Sequence, residues 1–240
     1  MSEAGDGFRT VRPARASADV VFQIRSAILA GHYRPGDRLP TERELARQFE
    51  VSRVTVRDAL RILEAGGLIE VRTGGQGGPY VAHPDLAILS DNLGNHMHLT
   101  GCTFHELAEA RLALETAAAR LAADRALPED LAAMEAAIVE PAGAEVAAAA
   151  SLDFHAAMVR ASHNRALSIM FSAMHRLIRE AFGELHALQP DMAGSAHDAH
   201  RLLFDAIAAG DGTRAEHLIR EHLNEFMDRG ERASGNTPAG

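Results

Sequence analysis

The chain has 240 residues, a length that suits one large domain or two smaller ones, each with room for a core. Apolar residues make up 47% and charged residues 24%, an ordinary globular balance, and no run nears the roughly 18 apolar residues of a membrane span. The net charge of −9 excludes a uniformly basic nucleic-acid binder, and the single cysteine, Cys102, excludes an internal disulfide. With no signal-peptide pattern at the start, a cytoplasmic protein is expected.

The acid is unevenly spread. Up to Pro84 there are twelve basic residues against ten acidic ones, and from Asp85 onward twelve against twenty-three, or about +2 and −11. The first part is therefore free to meet an anionic partner.

Residues 1–17 show no periodicity and read as a flexible tail, although Arg9, Arg12 and Arg15 could touch phosphate. A helix is predicted from Ala18 to Ala30, with Val21, Ile24, Ile28 and Leu29 on one side. Arg34-Pro35-Gly36-Asp37 makes a turn. Thr41 followed by Glu44 is a capping-box signature that opens a helix running through Phe49. Ser52 caps a second helix from Arg53 to about Ala65, and Gly66-Gly67 stops it. Leu68–Arg72 and Pro79–Ala82 are β-like, and Thr73–Gly78 forms the tip between them.

That order is the sequence form of a winged helix-turn-helix, which lays its second helix in the major groove of DNA. Arg53, Thr55 and Arg57 lie in the first two turns of that helix. Either arginine can grip guanine with two donors, and Thr55 suits phosphate or a thymine methyl. Arg43 opens the preceding helix and can fix the docking angle through phosphate. Val54, Val56, Leu60 and Leu63 are expected chiefly in the core. Arg72 and the tip residues Gly75, Gln76 and Gly77 can approach the minor groove or backbone, where a missing Cβ allows close contact. The tip is no phosphate loop, because no Gly-Lys-Ser/Thr follows and the glycines lead into a strand.

This region resembles the GntR family of bacterial transcription regulators. The likeness rests on Leu39–Ala46 (LPTERELA), Val51–Leu60 (VSRVTVRDAL) and Leu63–Ile69 (LEAGGLI), and spans about residues 18–83. It implies that Arg43, Arg53, Thr55, Arg57 and the tip glycines contact operator DNA. The family wing usually carries a Gly-x-Gly tip ending in an aromatic and Val, whereas this chain has Gly74-Gly75-Gln76-Gly77-Gly78-Pro79-Tyr80-Val81.

After Pro84 the pattern becomes helical throughout. Helices are predicted at Asp85–His96, Thr103–Arg125, Glu129–Val139, Val146–His163, Arg165–Leu188, Met192–Ala209 and Thr213–Met227. Breaks fall near Gly101, Leu127-Pro128, Pro141–Gly143, Gln189-Pro190 and Gly210–Gly212. The chain is thus expected to be mainly α. Its organisation is a flexible tail (1–17), a winged helix-turn-helix (18–84), an all-helical bundle (85–230) and a disordered tail (231–240).

Helical spacing turns several polar residues inward. His155 shares a face with Leu152, Met158, Val159 and Ser162; His200 with Leu203, Phe204 and Ile207; His222 with Ala215, Leu218, Ile219 and Phe226. Three imidazoles converging in a bundle core can hold a divalent metal. Zinc is the default for such donors, with nickel or manganese as alternatives. Arg111 shares a stripe with Leu107, Leu114, Ala118 and Leu121 and needs a negative partner there. Glu115, one turn on, or the carboxylate of a bound metabolite would serve.

This half resembles the FCD ligand-binding domain of the FadR subfamily of GntR regulators. The matches are Glu109–Glu115 (EARLALE), Asp153-Phe154-His155, Ala161–Asn164 (ASHN), Ala199–Leu203 (AHRLL), Gly210-Asp211 and Arg220–Leu223 (REHL), spread over about residues 85–230. The resemblance implies a helical bundle that binds a small carboxylate, often beside a metal held by one Asp and three His. His155, His200 and His222 match those three histidines. Arg111, Ser151 and Asn164 are the expected effector-binding residues. The family Asp stands four positions before the first His, where this chain has Ser151; Asp153 points to roughly the opposite side of the helix. Water, Ser151 or an effector oxygen would then complete the metal shell, or the histidines would bind an anion directly.

The expected activity is that of a homodimeric repressor, with an activator as the less favoured alternative, each subunit reading one half of a palindromic operator and effector binding biasing the spacing of the two DNA-binding heads. The alternatives are a metal-dependent hydrolase with an accessory DNA-binding module and an architectural DNA-binding protein without an effector.

Overall fold

The computed structural model describes residues 13–75, 77–138, 144–188 and 192–233. Gln76, Arg9, Arg12, the breaks at Pro141–Gly143 and Gln189-Pro190, and most of both tails lie outside the described residues. Contacts divide the chain into two units, residues 1–88 and 89–240.

The first unit begins with α1 (Pro13–Leu29), which starts earlier than the expected Ala18, so residues 13–17 are helical rather than tail. Val20 and Ile24 are its buried residues, while Leu29 is 71% exposed. Val21 and Ile28 pack against the same core, so the expected stripe holds except at Leu29, and Val20 joins it. Next come α2 (Glu42–Gln48) and α3 (Arg53–Ala65). Thr41 closes a full capping box on α2: its side chain accepts from the Glu44 amide, and Glu44 accepts from the Thr41 amide. Between the helices Glu50 takes a left-handed φ of 53°, which turns the chain sharply into Ser52, the cap of α3.

Gly66 and Gly67 end α3. Gly67 has φ 69°, the left-handed geometry that lets the Leu68 amide return to the Leu63 carbonyl at 3.0 Å. The chain is thereby delivered into β1 (Ile69–Arg72), which pairs antiparallel with β2 (Gly78–Val81) in the register Ile69 to Val81 and Arg72 to Gly78. The loop after α1 extends this ribbon, since the Leu39 amide donates to Pro79 and the Gly36 amide to Val81. Beneath lies a core of Val20, Ile24, Leu39, Leu45, Val56, Ala59, Leu60, Leu63, Ile69 and Val81.

The second unit is helical among its described residues. Its elements are α4 (Leu86–Thr100, which starts in the first unit), α5 (Phe104–Arg125), α6 (Pro128–Ala137), α7 (Ala144–Ala161), α8 (Arg165–Leu188), α9 (Met192–Ala208) and α10 (Gly212–Ala233). The last helix outruns the expected Met227 and takes in residues 231–233 of the expected tail.

Thr103 and Glu106 form a second capping box at the start of α5. That helix carries Ala118, Ala119 and Ala122 in the core, and such small side chains let neighbouring helices approach closely. It packs against α7, α9 and α10, and α7 also packs on α9. Leu152, Phe154, Met158, Leu203, Ile207, Ile219, Leu223 and Phe226 fill the space between them. These four helices carry all the polar residues that the periodicity turned inward. Among the described residues, no helix is long and apolar enough to cross a membrane.

Candidate functional site

Two sites emerge, one in each unit. In the first, the start of α3 presents Arg53, Val54 and Arg57 outward. Val54 is 65% exposed, so it does not join Val56, Leu60 and Leu63 in the core as the sequence suggested. It lies at the second position of the helix, roughly half a turn away from the buried stripe of Val56, Ala59, Leu60 and Leu63. Thr55 is partly buried, and its hydroxyl shares a 2.8 Å hydrogen bond with the Ser52 hydroxyl. Arg43, near the start of α2, is exposed. Arg57 donates through Nη2 to Glu42 Oε2 at 3.1 Å and through Nε to Oε1 at 3.4 Å. That hydrogen bond, then the Glu42 charge, raises the already high pKa of Arg57. The sequence reading did not single out Glu42; an acidic residue in the first turn of α2 was its only signal.

The wing tip is tightly drawn. The Gly77 amide donates to the Gly74 carbonyl at 2.9 Å, and Arg38 Nη2 donates to the Gly77 carbonyl at 2.6 Å. A Cβ on Gly77 would sit 2.7 Å from the Arg72 carbonyl oxygen and 2.8 Å from that of Gly74, whereas one on Gly75 would meet open space. Arg72 stacks over Tyr80 at 4.2 Å and pairs with Glu70.

In the second unit the four packed helices bring His155 (α7), His200 (α9) and His222 (α10) together. One nitrogen from each lies within 4.8 Å of the others. His155 and His200 are buried and His222 is half-buried. The His155 and His200 Nε2 atoms are 3.2 Å apart. His222 stacks on His155 with centroids at 5.3 Å, and Phe154 stacks on His200 at 4.4 Å, which restrains the rings. Burial, followed by the charge of Arg111, pushes His155 well below the usual histidine range. Burial, followed by the neighbouring His155 and His222, does the same to His200. Both are thus neutral imidazoles near pH 7, the form that binds metal ions.

Arg111 and Glu115, both on α5, are buried beside the cluster. Arg111 donates through Nε to Glu115 Oε1 at 2.5 Å. Burial pushes the Glu115 carboxyl up, and Arg111 opposes that rise. The other oxygen of Glu115 meets His155 Nδ1, a contact helical periodicity does not reveal. Ser151 is buried on the His155 face of α7, and its Oγ has no hydrogen-bond partner among the described residues. Asn164 stands before α8, where its Oδ1 accepts from the amides of Ala166 and Leu167 as a helix cap. Asp153 is exposed.

The three histidines form a donor set that can hold a metal ion. The first unit is a winged helix-turn-helix whose exposed guanidinium groups precede a glycine-rich tip.

Comparison with known proteins agrees with both descriptions. Residues 16–77 match the family described as bacterial regulatory proteins, gntR family, and residues 106–225 match the FCD domain. The chain is 31% identical over 206 residues to the HTH-type transcriptional regulator LutR of Bacillus subtilis (strain 168), covering 82% of this chain and 93% of that one. It is 31% identical over 207 residues to the galactonate operon transcriptional repressor of Escherichia coli (strain K12), covering 82% and 89%. Its fold is similar to a solved structure of Streptococcus agalactiae GntR, with a TM-score of 0.64 and 24% identity over 88% of this chain and 99% of that one. The chain belongs to the GntR family of bacterial transcriptional regulators, in the FadR-like branch whose members join the DNA-binding unit to an FCD domain.

Proposed function

We propose that the protein is a homodimeric cytoplasmic repressor whose hold on operator DNA is set by a small carboxylate bound beside a divalent metal in the FCD domain. The convergence of His155, His200 and His222 in the helical core carries this reading. Three imidazole donors favour zinc over a hard, oxygen-seeking cation. Glu115 is engaged by Arg111 and His155, so the donor set brings no carboxylate of its own. A carboxylate effector supplies the missing negative charge, with Arg111 as a nearby cation and Ser151 as a hydroxyl partner. Zinc, when bound, acts as a Lewis acid toward the effector's oxygens.

On DNA, Arg53 and Arg57 read base edges, Arg43 and Thr55 meet phosphate, and Arg72 with Gly75 and Gly77 lies along the backbone. Two subunits read two half-sites, since one such module alone binds weakly. The relative named as a galactonate operon transcriptional repressor supports the repressor assignment. The effector must favour one spacing of the DNA-binding units over another, or it changes nothing.

A thermal-shift screen of small organic acids, with and without chelator, tests the reading. At least one acid should raise the melting temperature only when metal is present, and should loosen the operator complex in a gel shift. Stabilisation indifferent to chelation removes the metal; no stabilisation by any acid removes the effector.

A further inference from the structure

We propose that Glu115 is a positioning residue for His155: it holds the ring proton on Nδ1, so that the Nε2 lone pair faces His200 and His222. This geometry stands independently of the metal reading above; its consequence for affinity rests on that reading.

All three members of the chain of contacts are buried. Arg111, Glu115 and His155 are 2%, 0% and 0% exposed. Arg111 Nε donates to Oε1 of Glu115, and Oε2 faces His155 Nδ1. Burial favours the neutral carboxyl, but the Arg111 guanidinium bonded to Oε1 favours the carboxylate, and a carboxylate only accepts hydrogen bonds, so Nδ1 is assigned as the donor. A neutral imidazole has one ring proton, which leaves Nε2 as an acceptor. That atom is the one 3.2 Å from His200 Nε2. In the metal-free protein His200 Nε2–H therefore donates to His155. The opposite arrangement would set a nitrogen lone pair against a carboxylate in a dry core, leaving both unsatisfied.

A carboxylate needed only to neutralise Arg111 would have no reason to reach from α5 to α7. Arg111 lies one helical turn from Glu115 and fixes the carboxylate's rotation, so the order set on α5 passes to a ring on another helix. The same arrangement explains why a buried carboxylate beside three histidines is not itself a metal donor. It occupies the far nitrogen of His155. A carboxylate in that position orients a ligating imidazole and raises its basicity, and losing such a partner typically lowers metal affinity roughly 10- to 100-fold.

The test uses the full-length, metal-stripped protein labelled with 15N-histidine. Long-range 15N–1H spectra give the tautomer of His155, assigned with a His155→Asn variant. The expected result is a proton on Nδ1 in the wild type and a mixture of tautomers in Glu115→Gln. Calorimetry with Zn2+ should show affinity falling roughly 10- to 100-fold in that variant. A wild-type ring protonated on Nε2 overturns the proposal. So does a Glu115→Gln protein that melts lower while keeping both the tautomer and the zinc affinity, which would mark a purely structural carboxylate. Should Glu115→Gln not fold, Arg111→Met/Glu115→Gln removes the stranded guanidinium and is read identically, and the wild-type spectrum needs no variant. A wild type that binds no zinc but shows the Nδ1 proton defeats the metal reading and leaves Glu115 in place.

Discussion

Glu42, in the first turn of α2, holds the guanidinium of Arg57 on α3 at 3.1 Å. The pair links the two helices of the DNA-binding motif through side chains that remain in water, so it adds little to stability. Its effect is to tether the Arg57 side chain to α2 and narrow its range of positions before DNA arrives. Arg57→Ala should weaken operator binding about 5- to 150-fold at fixed salt, the range for losing a two-pronged guanine contact. The melting temperature should barely move. Arg43→Ala should weaken all sequences alike and lower the salt slope by about 1, as loss of a phosphate contact does. A gel shift in which Arg57→Ala binds as tightly as the wild type would remove Arg57 from the reading set.

Two neighbouring glycines at the wing tip should respond in opposite ways. Gly77→Ala forces a methyl to within 2.7 Å of a backbone oxygen, so the tip must deform. Gly75→Ala places its methyl in open space. The first variant should lose operator affinity roughly tenfold, the scale of about one lost backbone contact, with the hydrophobic core unchanged. The second should fold normally and bind DNA unless the DNA itself needs that space. Equal affinity in Gly77→Ala would show that the tip does not approach the duplex.

Much of the DNA-binding unit was legible because its signals are local. Thr41 and Glu44, Ser52, and Gly66-Gly67 each act within a few residues, and each does in the structure what its spacing implies. The inward turn of His155, His200 and His222 was legible too, since one helix's periodicity fixes which face it buries. Helical periodicity does not give the rotation of one helix against another. The Glu115–His155 contact spans 40 residues and depends on how α5 meets α7. Leu29 and Val54 misled for different reasons. Leu29 stands one position beyond Ile28, which packs on the core, whereas Val54 is apolar but falls on the face of α3 opposite Val56, Ala59, Leu60 and Leu63.

The cap of α5 carries a pH dependence whose sign is fixed. Glu106 accepts from the Thr103 amide and hydroxyl, both at 2.8 Å. The amide bond, then the hydroxyl bond, holds its carboxyl below the ordinary 4.5. A carboxylate with a lowered pKa in the folded state contributes stability above the unfolded value and loses it as pH falls through the folded value. Glu106→Gln keeps an acceptor for the Thr103 amide but does not titrate. Urea unfolding should therefore show the wild type ahead of the variant at pH 6, with the gap closing as pH falls from the ordinary 4.5 through the lowered folded value and the carboxylate protonates. A gap that stays constant down to pH 3 would mean that the cap does not depend on the charge.

Ser151 offers the sharpest test of the proposed metal site, because one substitution should act in opposite directions with and without metal. Its side chain is buried on the His155 face of α7, and its hydroxyl has no partner among the described residues. Ser151→Asp would place a carboxylate there. In the metal-free protein Arg111, the cation beside the cluster, is already paired with Glu115, and a buried charge left short of a partner costs about 3 kcal/mol or more. With zinc bound, the same carboxylate adds a negative donor to a set of three imidazoles. Zinc affinity should then rise at least about tenfold, since metal sites tune affinity through ligand charge. The organic acid, no longer the sole source of negative charge, should stabilise the variant less than the wild type. His200→Ala should abolish stoichiometric zinc in metal analysis of the purified protein. If Ser151→Asp destabilises the protein equally with and without zinc, the residue does not face the three histidines, and the effector cannot owe its carboxylate preference to a charge missing at that position.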